Sequence, residues 1–250
     1  MSARSHRSLR PSRGGHQAVW LYGRHPVLAA LANPDRRFER ILATKDVADR
    51  HSKELGNRVQ VVSREELAQR LPTGAVHQGI AALAAPLEES QLEDVLARCG
   101  EHAMVLALDQ VTDPHNVGAI LRSAAAFDAL GIVTQDRHAP PESGTVARSA
   151  SGALETVPWV RVVNLARALE EIAEADYWRI GLTGHTQVTL AEAMGDGRIA
   201  LVLGAEGEGM RQNTEAHCDA LARLPISPKV ESLNVSNAAA IALYAVTVRG

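Results

Sequence analysis

The chain has 250 residues, 46% hydrophobic and 22% charged, with a net charge of −3, which suits a globular protein of one large domain or two modest ones. Its two cysteines, Cys99 and Cys218, form no disulfide framework and no metal-ligand spacing. No apolar stretch approaches the roughly 18–20 residues that span a bilayer, and no secretory signal opens the chain, so a reducing cytoplasm without membrane or metal is expected.

Residues 1–16 carry Arg4, Arg7, Arg10 and Arg13 and no acid. With the whole chain at −3, that leaves −7 for the rest. This disordered basic tail reads as an arm attracting phosphate, as a solvated terminus, or as an organellar transit segment. Any nucleic-acid surface on the remainder has to be local.

Residues 17–86 read as a small α/β unit. The pattern predicts helices over 26–32 and 45–55, the second stopped by Gly56, and strands over 40–44 and 58–62. Ser63 and Glu66 have capping-box spacing and open a helix ending near Leu71; a strand over 79–85 is closed by Pro86. Residues 87–101 are acidic and helix-prone and read as a linker helix, which puts the second domain at 102–250. There strands over 104–108, 132–134, 160–163, 178–183, 199–203 and 220–226 alternate with helices over 116–130, 143–154, 165–173 and 236–248. Short, continuously apolar strands between helices argue for a parallel sheet covered on both faces, with ligands beyond the carboxyl ends of its strands.

Three segments stand at such strand ends. In the first, running from Leu108 to Ser123, Val117, Ile120, Leu121 and Ala124 form a core stripe, and Arg122 lies roughly 100° from Leu121, free to face a cleft. Asn116 sits at the mouth of that helix, where it also reads as a simple N-cap. In the second, an apolar strand runs into the glycine-rich turn from Gly204 to Gly209. Its spacing fails the dinucleotide fingerprint, and Glu206 and Glu208 argue against a bound anion, so a cationic or neutral ligand fits better. In the third, a loop carrying Ser232 and Asn234 leads to Ser236, read as the N-cap of a final helix whose buried face is Ala240, Ile241, Leu243 and Tyr244. Caps, turns and core packing explain each segment taken alone. Their joint placement at strand ends is what points to a site.

The runs NVGAILRSA (116–124), LVLGAEGEGM (201–210) and SLNVSNAAAI (232–241) resemble, in order, the three motifs of the SpoU/TrmH branch of the SPOUT methyltransferases. The likeness continues through SASGALETVPWVRVVNLARAL (149–169), and residues 20–85 resemble the family's N-terminal substrate-binding domain. The resemblance implies a C-terminal SPOUT domain with a parallel sheet and a deep trefoil knot formed after about Leu203, preceded by a small α/β RNA-binding domain. It also implies a homodimer and transfer of a methyl group from S-adenosylmethionine to a ribose 2′-hydroxyl of RNA. The expected target is a guanosine of 23S ribosomal RNA; transfer RNA, and a non-catalytic RNA-binding assembly factor, are the alternatives. By position, Gly204, Leu224, Ile226 and Leu233 contact the donor, with Thr183 and Ser236 as further candidates. Asn116, Arg122, Glu206, Ser232 and Asn234 form the catalytic set, Asn116 orienting Arg122 or the ribose, and Arg24 and His25, in the loop before the first helix, contact RNA. An arginine stays protonated at working pH, which favours a phosphate-binding and charge-stabilising role for Arg122 over that of a general base.

Overall fold

The computed structural model describes residues 17–98, 100 and 102–249; the basic tail, and with it the expectation placed on it, lies outside them. The N-terminal part runs β1 (Val19–Tyr22), α1 (Arg24–Ala32), β2 (Phe38–Ala43), α2 (Lys45–Arg50), α3 (Ser52–Leu55), β3 (Val59–Val61), α4 (Arg64–Gln69) and β4 (Ile80–Ala84). It forms a four-stranded sheet of order β1-β4-β2-β3, in which β4 is antiparallel to both neighbours and β2 and β3 are parallel. The capping box is present: Ser63 Oγ accepts from Glu66 N at 3.1 Å while Glu66 returns a carboxylate oxygen to Ser63 N at 2.9 Å.

After α5 (Leu92–Leu96) come β5 (Met104–Leu108), α6 (Pro114–Ala126), β6 (Ile132–Gln135), α7 (Gly144–Ala150), β7 (Trp159–Val162), α8 (Leu165–Glu174) and β8 (Tyr177–Leu182). The chain ends with α9 (Leu190–Ala193), β9 (Arg198–Leu203), α10 (Gln212–Glu215), β10 (Ala220–Ala222) and α11 (Val235–Thr247). Strands β5 to β10 form one parallel six-stranded sheet of order β10-β8-β9-β5-β6-β7. Strand β5 is buried along its whole length, and alternate residues feed opposite faces: Met104, Leu106 and Leu108 join the core under α6 and α11, Val105 and Ala107 the core under α8. Period-2 alternation into two cores is why the strands read as continuous apolar runs.

Several expectations shift. The strand β1 escaped the periodicity, because VWLY is apolar throughout and lacks alternation. The expected linker helix shrinks to Leu92–Leu96, and the helix over 45–55 breaks at His51. Arg24 and His25 are not in a loop; they form the first turn of α1. The apolar face of α11 is not the one expected: Val235, Ala239, Ala242 and Leu243 are buried, whereas Ile241 and Tyr244 are 46% and 57% exposed. An alanine-rich helix carries two apolar stripes, and composition does not say which one meets the core.

The two units pack directly on each other. Gly144, the first residue of α7, leaves no room for a Cβ against the Tyr22 ring and the Trp20 carbonyl of β1. Beside this contact Arg36, fully buried, donates to both oxygens of Glu155 at 2.9–3.1 Å and lies 2.6 Å from Glu142. Asn33 donates to the same Glu155 at 2.8 Å, and Arg36 also reaches the Ala85 carbonyl at 2.8 Å. Burial pulls the guanidinium pKa down, and the hydrogen bond to Glu155 with the charges of both glutamates more than reverses that, so it ends above its ordinary value.

Candidate functional site

The register of the large sheet sets one row across five strands: Ala222 pairs with Leu182, Leu182 with Leu203, Leu203 with Leu108, and Leu108 with Thr134. Four of these strands end there, and the next residues are Arg223, Thr183, Gly204 and Asp109, while β6 runs one residue further to Gln135, which pairs with Val162. The carboxyl edge of one sheet therefore collects the ends of all three segments singled out in the sequence, together with Thr183.

Glu206 joins the three segments. Its Oε1 accepts from Asn116 Nδ2 at 3.1 Å, from Val235 N at 3.2 Å, and from Asn234 Nδ2. Asn234 Nδ2 also donates to Asn116 Oδ1 at 3.0 Å, closing a triangle of residues that lie 28, 90 and 118 positions apart in sequence. The other carboxylate oxygen, Oε2, accepts no bond among the described residues. A hydrogen-bonded carboxylate with one free oxygen is pre-oriented toward whatever occupies the neighbouring space.

Two capping assignments change. The N-cap of α6 is Asp113, whose carboxylate accepts from His115 N at 2.9 Å, with Pro114 at the first helical position; Asn116 is thereby released for the Glu206 network. The N-cap of α11 is Asn234, not Ser236: its Oδ1 accepts from Ser236 N at 3.0 Å, Ser236 Oγ at 2.5 Å and Asn237 N at 3.4 Å. One asparagine thus caps the last helix with its oxygen and holds the network with its nitrogen.

The glycine turn folds back on itself, Ala205 and Gly209 exchanging both backbone bonds at 3.0 and 3.1 Å. A Cβ on Gly204 would overlap the backbone of Gly209 and Met210, so only glycine permits the closure. Leu224 and Leu233 are half-buried and Ile226 is exposed, so each offers apolar surface near the carboxyl edge. Thr183 closes a turn, its hydroxyl accepting from His185 N at 3.3 Å, while its backbone N–H bonds Ala222 O at 2.9 Å.

Arg122 is exposed on α6, and its guanidinium makes no hydrogen bond or ion pair among the described residues; Asn116 bonds Glu206 and Asn234, not Arg122. Ser232 is exposed on the loop before α11 and makes no bond to the triangle. Arg24 and His25 lie in the other domain, Arg24 half-buried with its backbone N–H on Gln78 Oε1 at 3.0 Å, and His25 exposed.

The sequence reading missed Asp109, Arg211, Gln135 and Gln110. Asp109 is fully buried and takes Arg211 N and Nε at 2.9 Å each, and Arg211 continues to Gln135 Oε1 at 2.7 Å. This ties the end of the glycine turn to β5 and β6. Gln110, the next residue, has φ 58, a strained conformation for a side-chain-bearing residue. A charged residue ending an apolar strand was the available signal, because a buried carboxylate requires a partner.

Compared with known proteins, residues 103–244 match the model of the SpoU rRNA Methylase family, and residues 20–90 match that of the RNA 2′-O ribose methyltransferase substrate-binding domain. The chain is 39% identical over 234 residues, 90% of its own length and 96% of the relative's, to the 23S rRNA (guanosine-2′-O-)-methyltransferase RlmB of Escherichia coli K12. It is 40% identical, with 90% and 95% covered, to the protein of that name from Photorhabdus laumondii. Among solved structures, the SpoU methyltransferase AviRb of Streptomyces viridochromogenes, in complex with AdoMet, superposes with a TM-score of 0.78 at 21% identity, covering 93% of this chain and 90% of that one. A TrmH-family structure from Porphyromonas gingivalis superposes with a TM-score of 0.74 at 26% identity, covering 94% and 91%.

Proposed function

Because the chain belongs to the SpoU rRNA methylase family, we propose that it transfers a methyl group from S-adenosylmethionine to the 2′-hydroxyl of a guanosine ribose in 23S ribosomal RNA. The observation that carries the reading is the triangle of Asn116, Glu206 and Asn234, which gathers three distant segments at the carboxyl edge of the parallel sheet.

The residues at that edge suit the donor. The turn from Gly204 to Gly209 brings two carboxylates rather than a phosphate cradle, and Leu224, Ile226 and Leu233 present apolar surface for an adenosine. S-adenosylmethionine, when bound, supplies a methyl group already activated by a sulfonium. What is left to the protein is to place the ribose hydroxyl in line with it, and positioning of this kind is worth on the order of 7–11 kcal/mol in well-oriented cases. Glu206 holds Asn116 and Asn234 in fixed rotamers beside the donor, Ser236 supports the cap, and Ser232 meets the nucleotide from the loop. The guanidinium of Arg122, without a partner among the described residues, binds the phosphate next to the target ribose and stabilises the negative charge developing on the 2′-oxygen. The N-terminal domain, with Arg24 and His25, selects the RNA.

The assembly that fits is a homodimer, with the exposed stripe of Ile241 and Tyr244 on α11 and Val248 at its C-cap, 46%, 57% and 60% exposed, covered by a second copy. The trefoil knot of the family falls in the stretch after Leu203, and the working compartment is the cytoplasm. The testing experiment is tritium transfer from labelled donor to ribosomal and transfer RNA from cells lacking the gene, followed by mapping of the 2′-O-methyl position. Label at a single guanosine of 23S RNA is expected; label confined to transfer RNA, or none, overturns the assignment.

A further inference from the structure

A second concavity lies in the N-terminal domain, far along the chain from the glycine turn. It has a volume of about 500 Å³, within the range in which pockets of folded proteins hold small ligands. Three guanidinia line it from three separate helices: Arg24 in the first turn of α1, Arg50 at the end of α2 and Arg64 at the start of α4. One carboxylate, Asp46, shares the cleft. None of the three arginines is in ion-pair distance of a carboxylate among the described residues. A local excess of cations on a chain of net charge −3 is an electrostatic focus for a polyanion.

The wall is built rather than accidental. His77 is nearly buried, and its Nδ1 accepts from Gly79 N at 3.1 Å, which leaves Nε2–H as its donor. Burial, and then the charge of Arg64, lowers the His77 pKa and keeps the ring neutral. Gln78, beside it, holds φ 52 in order to place Oε1 on Arg24 N. A non-glycine residue in that region costs of order 1–3 kcal/mol and persists only where the surroundings hold it. Val47, Ala75 and Val76 supply the apolar part of the lining, Val76 being 49% exposed.

We propose that this cleft binds one unpaired nucleotide of the substrate RNA, its phosphate held by Arg24, Arg50 and Arg64 and its base laid against Val47, Ala75 and Val76. Three cations, apolar side chains and neutral polar groups lining one concavity match a nucleotide pulled out of a stack, and a base still paired in a duplex does not enter a concavity. The inference rests on RNA being the substrate, and it assigns the N-terminal domain a discrete contact instead of a diffuse charged surface.

The test compares the full-length R50Q/R64Q variant with R167Q, a charge change on the exposed face of α8. Equilibrium binding to a fluorescent 23S RNA transcript and to a blunt RNA duplex is measured against salt, alongside methyl transfer with RNA varied at saturating donor. The expected result for R50Q/R64Q is at least a tenfold rise in KM for RNA with kcat and donor KM retained. The salt slope should fall by up to about 0.7, since one single-strand phosphate contributes about 0.7; R167Q and duplex binding should stay unchanged. Equal behaviour of R50Q/R64Q and R167Q overturns the inference, and so does an equal loss on the blunt duplex. If the wild-type protein transfers no methyl group, the reaction assignment fails on its own, and the binding arm still decides the cleft.

Discussion

Two polar clusters in this protein are built from the same residue types and differ in what they leave over. Around Arg36 the partners are Glu155, Glu142, Asn33 and the Ala85 carbonyl, and both Arg36 and Glu155 are out of solvent. At the sheet edge, Asn116, Glu206 and Asn234 hold one another, yet one oxygen of Glu206 and the guanidinium of Arg122 have no partner among the described residues. A charged group whose valences are all met inside the fold contributes to that fold; one held in position with valences free is arranged for something else. The contrast separates an interdomain clamp from the proposed reaction centre.

The largest effect that would break this contrast is at Arg122. Arg122→Ala is expected to lower methyl transfer roughly a thousandfold, about 4 kcal/mol of transition-state stabilisation. Donor affinity by calorimetry and unfolding stability should stay close to wild type. Near-normal turnover would remove Arg122 from the proposed centre. Glu155→Ala should do the reverse, leaving Arg36 buried with its best partner gone. A loss of about 3–5 kcal/mol by urea unfolding is expected, with kcat per folded molecule little changed. Unaltered stability would mean that the clamp is decorative.

Asn234→Asp sharpens the comparison within a single side chain. It keeps the acceptor that caps α11 and removes the donor to Glu206 and Asn116, adding a carboxylate beside Glu206. Transfer is expected to fall about ten- to hundredfold, equivalent to the 1.5–3 kcal/mol of a hydrogen bond to a charged group, while helix content by circular dichroism holds. If stability and activity fall together, cap and network cannot be separated.

The smallest effect sets the floor for a solvated contact. Thr189→Ala removes the cap of α9 and should cost about 1 kcal/mol with activity unchanged. Bonds from the Thr189 backbone and side chain hold the Glu192 carboxyl below its ordinary value. The part of the cap that runs through the carboxyl is therefore present above the ordinary carboxylate pKa and fades as pH falls through the lower, folded one. The gap between wild type and variant should narrow on acidification, because the variant keeps the Thr189 backbone bond to the carboxyl and loses the side-chain one; a gap independent of pH would show that the side-chain bond to the carboxyl contributes nothing.

Much of this was legible in the residues. The continuous apolar runs of β5 and β9 gave the parallel sheet, and the spacing of Val117, Ile120, Leu121 and Ala124 gave the buried face of α6, because burial on both faces and helical period both write themselves locally. The capping box at Ser63 and Glu66 was visible for the same reason. Long-range choices were not. Asn116 and Ser236 read as caps until Asp113 and Asn234 proved to fill those places, since several adjacent polar residues satisfy the same local rule. The pairing of Asp109 with Arg211, and of Arg36 with Glu155, joins residues 102 and 119 positions apart, a separation at which no periodicity carries information.

The sequence by itself determined most of the strands and longer helices, the three strand-end segments and the family they resemble, because each depends on neighbours within a few residues. The tertiary structure decided which polar groups spend their hydrogen bonds inside the protein and which keep them. That division follows from burial, which only packing creates: it paired Arg36 with Glu155 and Asp109 with Arg211, tied Glu206 to two distant asparagines, and left Arg122 without a partner among the described residues.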